Sequence, residues 1–343
     1  MSMNTDHRDH ADHDRATQAH DFTGHDHSHG TIDPALLTTD KGIQAIKWSL
    51  VVLMLTGLLQ AAVVTFTSSV ALLADTIHNF ADAASGIPLW IAFLMARRKP
   101  TKAFNYGLGR VEDIAGIFIV AGMLLSGIAT AYISFTRLFE PFQVQHLVAV
   151  GIASILGFVG NEVAAVIRIR TGREIGSAAL IADGHHARID GLTSLGVLVG
   201  VVGVWIGYPQ ADPIVGLVIT AIVFKIVWDS GKSIIIRLLD GVDPAVIDEV
   251  QHAAEHITDV REVTEVRVRW VGHRLSAEIN IAVDSDLSVE EGHRVAHEVR
   301  HELLHHLSYL GNATIHVDPV SASGEQHHRI RDHQHDELPT HSH

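Results

Sequence analysis

Six long apolar segments fill the middle of this chain, at residues 43–67, 70–96, 112–138, 145–168, 176–206 and 212–236, and polar stretches flank them on both sides. Each reaches the ~20 residues that a helix needs to cross about 30 Å of hydrocarbon, and each is too long for a barrel strand. The pattern predicts six transmembrane helices within residues 41–239. After residue 240 the period changes. Asp243-Pro244 opens an amphipathic helix to about residue 257, with proline in the first turn. Residues 263–271 and 275–283 alternate as strands around a turn at Gly272-His273. Ser288 followed by Glu291 is a capping-box start for a helix reaching His306, and residues 313–317 close with a strand.

The expected fold is thus an all-α six-helix transmembrane domain (41–239) followed by a small α+β domain of order αββαβ (240–320), a helix pair on a three-stranded sheet. Residues 1–40 and 321–343 hold many histidines and aspartates and few large apolar side chains. They cannot bury enough surface to fold alone, so both tails are expected to be disordered.

Charge sharpens this division. Residues 1–40 carry 8 Asp and Glu against 2 Lys and Arg, 41–239 carry 11 against 15, 240–320 carry 16 against 6, and 321–343 carry 4 against 2. A mildly basic membrane part with acidic appendages speaks against nucleic acid and for a cationic ligand. The absence of cysteine excludes disulfides, thiolate metal sites and thiol redox chemistry. No leader with an apolar core stands at the N-terminus, so insertion is expected to rely on the internal helices.

Lys and Arg also set the expected orientation. Arg97, Arg98, Lys99, Lys102 and Arg110 lie between the second and third segments, and Arg168, Arg170 and Arg173 between the fourth and fifth. On the opposite side only Arg137 is basic. The positive-inside rule places these loops, and both termini, in the cytoplasm.

The chemistry lies in two matching motifs. The second segment contains His78-x-x-x-Asp82 and the fifth His186-x-x-x-Asp190. Residues four apart share a helix face, so each helix can present an imidazole beside a carboxylate. Two such faces opposed give two nitrogens and two oxygens, a set that suits tetrahedral Zn²⁺. By helical rise, His78 lies roughly 12 Å from one end of its span and His186 roughly 15 Å from the other end of its own, both near mid-membrane. The bland alternative is polar residues hydrogen-bonded within helix contacts. Ionisable groups at that depth are costly and mark pathways, and two motifs at matching depth favour a metal site.

Over residues 41–320 the chain resembles the cation diffusion facilitators. The resemblance rests on the two motifs with their preceding Ala74-Asp75 and Ala182-Asp183, on Asp212-Pro213 opening the sixth helix, on Leu239-Asp240 after it, and on Ile315-His316-Val317-Asp318-Pro319. It implies a secondary transporter, not an enzyme, exporting divalent metal from the cytoplasm in exchange for protons. It also implies a homodimer joined through a metallochaperone-like C-terminal domain. The lack of cysteine and of targeting signals points to a bacterial inner membrane. The His–Asp/His–Asp set looks like the zinc and cadmium transporters. Asp at both histidine positions would suit manganese, and cobalt and nickel also accept imidazole. Zinc is the expected cargo and a candidate regulatory ligand.

The resemblance implies further residue roles. His293, His316 and Asp318 match positions that bind regulatory metal, with Glu278 as a candidate added ligand. Thr264 and Asn280, poor zinc ligands, stand at two other such positions. Surface histidines on a solvated domain are the equal alternative, and His297, His301, His305 and His306 are expected to face solvent. Arg110 and Asp240 are a candidate charge interlock at the membrane surface, against a simple positive loop. The second-to-third connection keeps its glycines, Arg110 and Glu112 but lacks metal-binding histidines, so no metal is expected there. Asp75 and Asp183 are candidates to orient ligands or relay protons. Asn161 and Glu162 are candidates to line the path, with helix-packing hydrogen bonds the alternative. His185 points about 100° from His186, away from the first ligand shell.

Two other classes fit less of the chain. A membrane metalloenzyme would need a general base beside a cleft, and no hydrolase signature appears. A metal sensor or store would use only the tails and the C-terminal domain, leaving six spans unexplained.

Overall fold

The computed structural model describes residues 34–67, 84–139, 147–208 and 210–324, together with Thr76 and Phe80. The long helices are α1 (Pro34–Thr67), α3 (Val111–Arg137), α4 (Leu147–Ile175), α5 (Ala178–Trp205) and α6 (Ala211–Leu238), with the short α2 (Ile87–Ala96) between α1 and α3. The C-terminal domain follows as α7 (Pro244–Glu255), β1 (Glu262–Val271), β2 (Arg274–Val283), α8 (Val289–His306) and β3 (Leu310–Pro319), ending in a 3-10 turn at Val320–Ala322.

Four of the described helices are long and apolar enough to cross a membrane: Leu37–Thr65, Val111–Arg137, Leu147–Ile175 and Ala211–Leu238. α5 matches them in length but carries Asp183, His185, His186, Arg188 and Asp190 in its first half, which dilutes its apolar character. Of the second expected segment only Thr76, Phe80 and residues 84–96 are described, so six spans are not counted here. Large apolar side chains on the spans face outward, such as Phe118, Leu125 and Trp228, each more than two-thirds exposed. That is the surface a helix presents to lipid, not to water.

Two boundaries differ from the sequence expectation. α1 begins at Pro34, inside the stretch expected as tail, because its first turns are anchored: Thr39 is fully buried and Asp40 pairs with Arg97 at 3.1 Å. The expected loop of Arg168, Arg170 and Arg173 is instead the continuous end of α4, which turns into α5 through Gly176 and Ser177 alone. Gly176 sits at φ +73°, where a side chain would be strained. Ser177 then caps α5, its hydroxyl accepting from Leu180 N–H at 3.0 Å. α4 and α5 therefore lie as a tight antiparallel pair, with α1 against α4, α3 against α6, and α6 against α5. Ile46, Leu89, Phe93, Met123, Leu180 and Ile234 pack into one buried core across α1, α2, α3, α5 and α6.

The C-terminal domain follows the expected order. β1 and β2 pair antiparallel, and β3 returns parallel to β2, giving the sheet order β1-β2-β3. Asp243 caps α7 by accepting from Ala245 N–H, and Ser288 and Glu291 close a reciprocal capping box on α8. Leu275, Ala277, Ile279 and Ile281 face Val250 on α7 and Val295, Val299 and Leu303 on α8. The alternate residues of β2 and β3, including Glu278 and His316, fall on the opposite face.

Candidate metal centre

The described half of the candidate membrane site sits on α5. His186 and Asp190, one turn apart, point to the same side, with Nε2 and Oδ2 at 3.8 Å and side chains 15% and 5% exposed. Nδ1 of His186 is buried without a hydrogen-bond acceptor among the described residues. An imidazole and a carboxylate side by side, both withdrawn from solvent, are donors of the kinds that a two-nitrogen, two-oxygen cation site uses. His78, Asp82 and Asp75 lie outside the described residues.

Asp183 sits one turn before His186 and is fully buried against Arg168, whose Nη1 lies 3.1 Å from Oδ2; the two side chains are 0% and 1% exposed. Arg168 also donates from Nε to Ser49 Oγ at 2.8 Å, tying α4 to α1 and α5. Burying two charges is tolerable only when they meet, so this pair fixes α4 against α5. Asn161 is fully buried on α4 beside Gly191. Glu162 forms a fork with Arg188, at 3.1 and 2.6 Å, and is only half-buried. His185 is half-buried.

At the end of the spans that meets the soluble domain, Arg110 forms an ion pair with Asp240 and donates from Nη1 to Leu238 O at 3.3 Å. Asp240 sits at φ +58°, a backbone state that aspartate tolerates better than most residues and that turns its carboxylate toward α3.

Sequence reasoning took Gly272-His273 only as a hairpin turn. In the structure that tip is buried in the membrane domain. His273 is 1% exposed. Its Nδ1–H donates to Glu112 Oε2 at 2.6 Å, its backbone N–H donates to the same oxygen at 3.2 Å, and Nε2 lies 3.0 Å from Thr39 Oγ1. Ser177 donates to Glu112 Oε1 at 2.6 Å, Gly272 N–H to Asp113 at 3.3 Å, and Arg274 Nη2 to Thr39 at 2.9 Å. The approach is backbone to backbone: a Cβ on Gly109 would meet Val271 O at 2.5 Å, and one on Gly272 would meet Gly109 O at 2.5 Å. Glu112 and Asp113 at the start of α3, with two glycines at the contact, were the available signals. Neither pointed to a partner.

In the C-terminal domain His316 Nε2 lies 2.9 Å from Asp318 Oδ1. Glu278 faces Arg269 at 3.4 Å. Asn280 donates to Glu265 and Thr264 to the Asn280 carbonyl. His293 stands on α8, lining with Asp318 a cavity of about 450 Å³. The structure therefore brings His316 to Asp318, and Asp318 to the cavity of His293, but not the full set of Glu278, His293, His316 and Asp318, because Glu278 pairs with Thr314, two register positions from His316, and meets Arg269. Among the described residues no three His, Asp or Glu side chains gather closely enough to hold a metal.

Spanning helices around buried ionisable side chains, with an α+β domain seated on one end, define an integral membrane protein built to pass a polar cargo. Residues 46–239 match the cation efflux transmembrane domain, and residues 242–320 match the cation efflux protein cytoplasmic domain. A probable cation efflux system protein of Mycobacterium tuberculosis is 47% identical over 300 residues, covering 87% of this chain and 90% of the relative. An uncharacterized transporter of Methanocaldococcus jannaschii is 28% identical, over 78% of this chain and 94% of its own. The manganese efflux system protein MneP of Bacillus subtilis is 26% identical, over 73% and 87%. The chain belongs to the cation diffusion facilitator family, whose members are transporters of divalent metal cations and not enzymes.

Proposed function

We propose that this protein exports a divalent transition metal, zinc foremost, from the cytoplasm by proton-coupled alternating access. The cargo would bind between His186 and Asp190 on α5 and His78 and Asp82 on the second span. The observation that supports this reading is the withdrawn imidazole–carboxylate pair on α5, one turn apart and 3.8 Å from each other. A metal ligand must be free of its proton, so protons and Zn²⁺ compete for the same lone pairs. A proton entering from outside then helps discharge the metal. Rocking of spans about a fixed midplane site supplies alternating access.

In this reading six spans place both termini in the cytoplasm of a bacterial inner membrane, and the C-terminal domain joins two copies. The regulatory metal set reduces to His316 and Asp318, completed by donors from elsewhere, and the His-bearing tails raise the local metal concentration. Arg110 and Asp240 tie the C-terminal domain to α3. Asp183 serves α4–α5 packing through Arg168, not proton relay.

Manganese is the second reading, favoured by the likeness to MneP. Two imidazoles count against it, since the harder ion prefers oxygen. Zinc and manganese uptake into proteoliposomes, with and without an imposed pH gradient, separates the two. H186A and D190N should abolish zinc uptake while the protein still melts cooperatively. H186D should shift preference toward manganese. Zinc uptake that persists in both H186A and D190N would rule out the site.

A further inference from the structure

A chamber with polar and apolar walls lies at the seam between the α2–α3 connection and the β1–β2 hairpin. It has a volume of about 290 Å³ and is lined by Arg98, Asn105, Tyr106, Arg274, Ser276 and Asn312, among others. No aspartate or glutamate lines it, although the chain carries 39 acidic residues against 25 basic ones. Its neighbours show how unusual that is. Arg97 meets Asp40, Arg110 meets Asp240 and Arg269 meets Glu278. Arg98, within the same run, has no carboxylate partner among the described residues. Two arginines, two asparagines, a serine and a tyrosine thus line one space, with Arg274 also donating to Thr39. Gly107 and Gly311 in its wall add no side chain to fill it.

We propose that this chamber binds a phosphoryl group. Guanidinium offers paired N–H donors that match phosphate oxygens, and the carboxamides and hydroxyls can satisfy the remaining oxygens. The chamber lies where α2 ends and α3 begins, the level of the headgroups, so an anionic lipid can reach it; free phosphate from the aqueous side is the other source of the same chemistry. Because one wall is the α2–α3 connection and the other is the hairpin, a bound phosphate bridges the two and holds the soluble domain on the spans.

The test uses the full-length protein in nanodiscs and reads hydrogen exchange of the seam amides, residues 104–109 and 271–276. One arm compares phosphatidylcholine discs with discs containing phosphatidylglycerol. The other adds inorganic phosphate to phosphatidylcholine discs against chloride at matched ionic strength. Protection should rise about tenfold, as for a ligand at ten times its Kd. R98Q, and N312D, which sets a carboxylate in the wall, should remove the gain. K99Q/K102Q, altering exposed lysines outside the chamber, should keep it. A gain with phosphatidylglycerol alone assigns a lipid headgroup, and a gain with phosphate assigns a soluble source. No gain in either arm overturns the proposal. So does a gain that survives R98Q and N312D, or one that depends only on the lysines.

Discussion

Replacing His273 by alanine removes the ring that seats the hairpin tip in the membrane domain. Glu112 keeps Ser177 and the backbone N–H at residue 273 as donors but loses the 2.6 Å bond from Nδ1. A hydrogen bond to a charged group is worth about 1.5–3 kcal/mol, and the lost contact with Thr39 adds about 0.5–1.5 kcal/mol. The packing of the ring on Phe93, centroids 5.2 Å apart, is also lost. Relaxation of the remaining donors offsets part of this, so the seam should open more easily by about 2–4 kcal/mol. At 1.36 kcal/mol per decade that is about a 30- to 900-fold loss of amide protection. Hydrogen exchange read by mass spectrometry resolves it. The loss should be confined to residues 109–113 and 271–275, leaving the core of β2 and the middle of α5 as in the parent. The double variant E112Q/H273A should cost less than the two single changes added, because both remove one interaction. Protection at residues 271–275 that changes by less than about threefold would refute the reasoning. A loss spread evenly over the C-terminal domain would do so too, since it would mean global unfolding.

The backbone contact at the same seam makes G109A costly. Its Cβ would press on Val271 O, whereas Gly122 on α3 has open space around it. G109A should lose about 1–3 kcal/mol, and G122A should be neutral or gain up to about 1 kcal/mol; calorimetry in detergent compares them, and equal melting would discount the contact. Breaking the buried pair with R168Q should cost about 3–5 kcal/mol and suppress folded protein, while R168M/D183L should restore it in part. Size-exclusion recovery reports this, and an R168Q protein as well behaved as the parent would count against a structural pair. Acid should loosen α8 from its start. The backbone N–H and hydroxyl of Ser288 hold the Glu291 carboxyl below the usual carboxylate range. A depressed pKa contributes stability that is complete above the unfolded value of about 4.3 and is lost as pH falls through the folded one. Protection of the first turn of α8 should therefore be level from about pH 7 to 5 and fall below about pH 4, and S288A should flatten that fall. A parent protein with no acid-side loss would contradict the capping box.

Much of this architecture is legible in the chain because its signals are local. Asp243-Pro244 at α7, the Ser288–Glu291 box and the alternation in β1 and β2 each act over a few residues and reappear at or near their expected bounds, and four of the apolar runs reappear as helices of spanning length. What the sequence hides is who meets whom. Arg168 reads as one of a group of positive loop residues, and only the two-residue turn at Gly176-Ser177 carries it back inside, against Asp183. His273 reads as a turn residue, and its burial belongs to Glu112 and Thr39, more than 150 positions away.

The same limit applies inside the candidate site. Asp183 and Asp190 are seven residues apart, so 3.6-residue periodicity puts them on one face of α5 within about 20° of each other. His186 lies between them, and nothing in the spacing says which carboxylate serves it. The partner decides. Asp183 stands against a buried guanidinium, whose fixed positive charge would repel a dication and whose removal would strand the carboxylate. Asp190 stands 3.8 Å from an imidazole, a group that can give up its proton to become a ligand. The arginine thus assigns one acid to packing and leaves Asp190, beside His186, as the carboxylate on which the proposed metal–proton exchange rests.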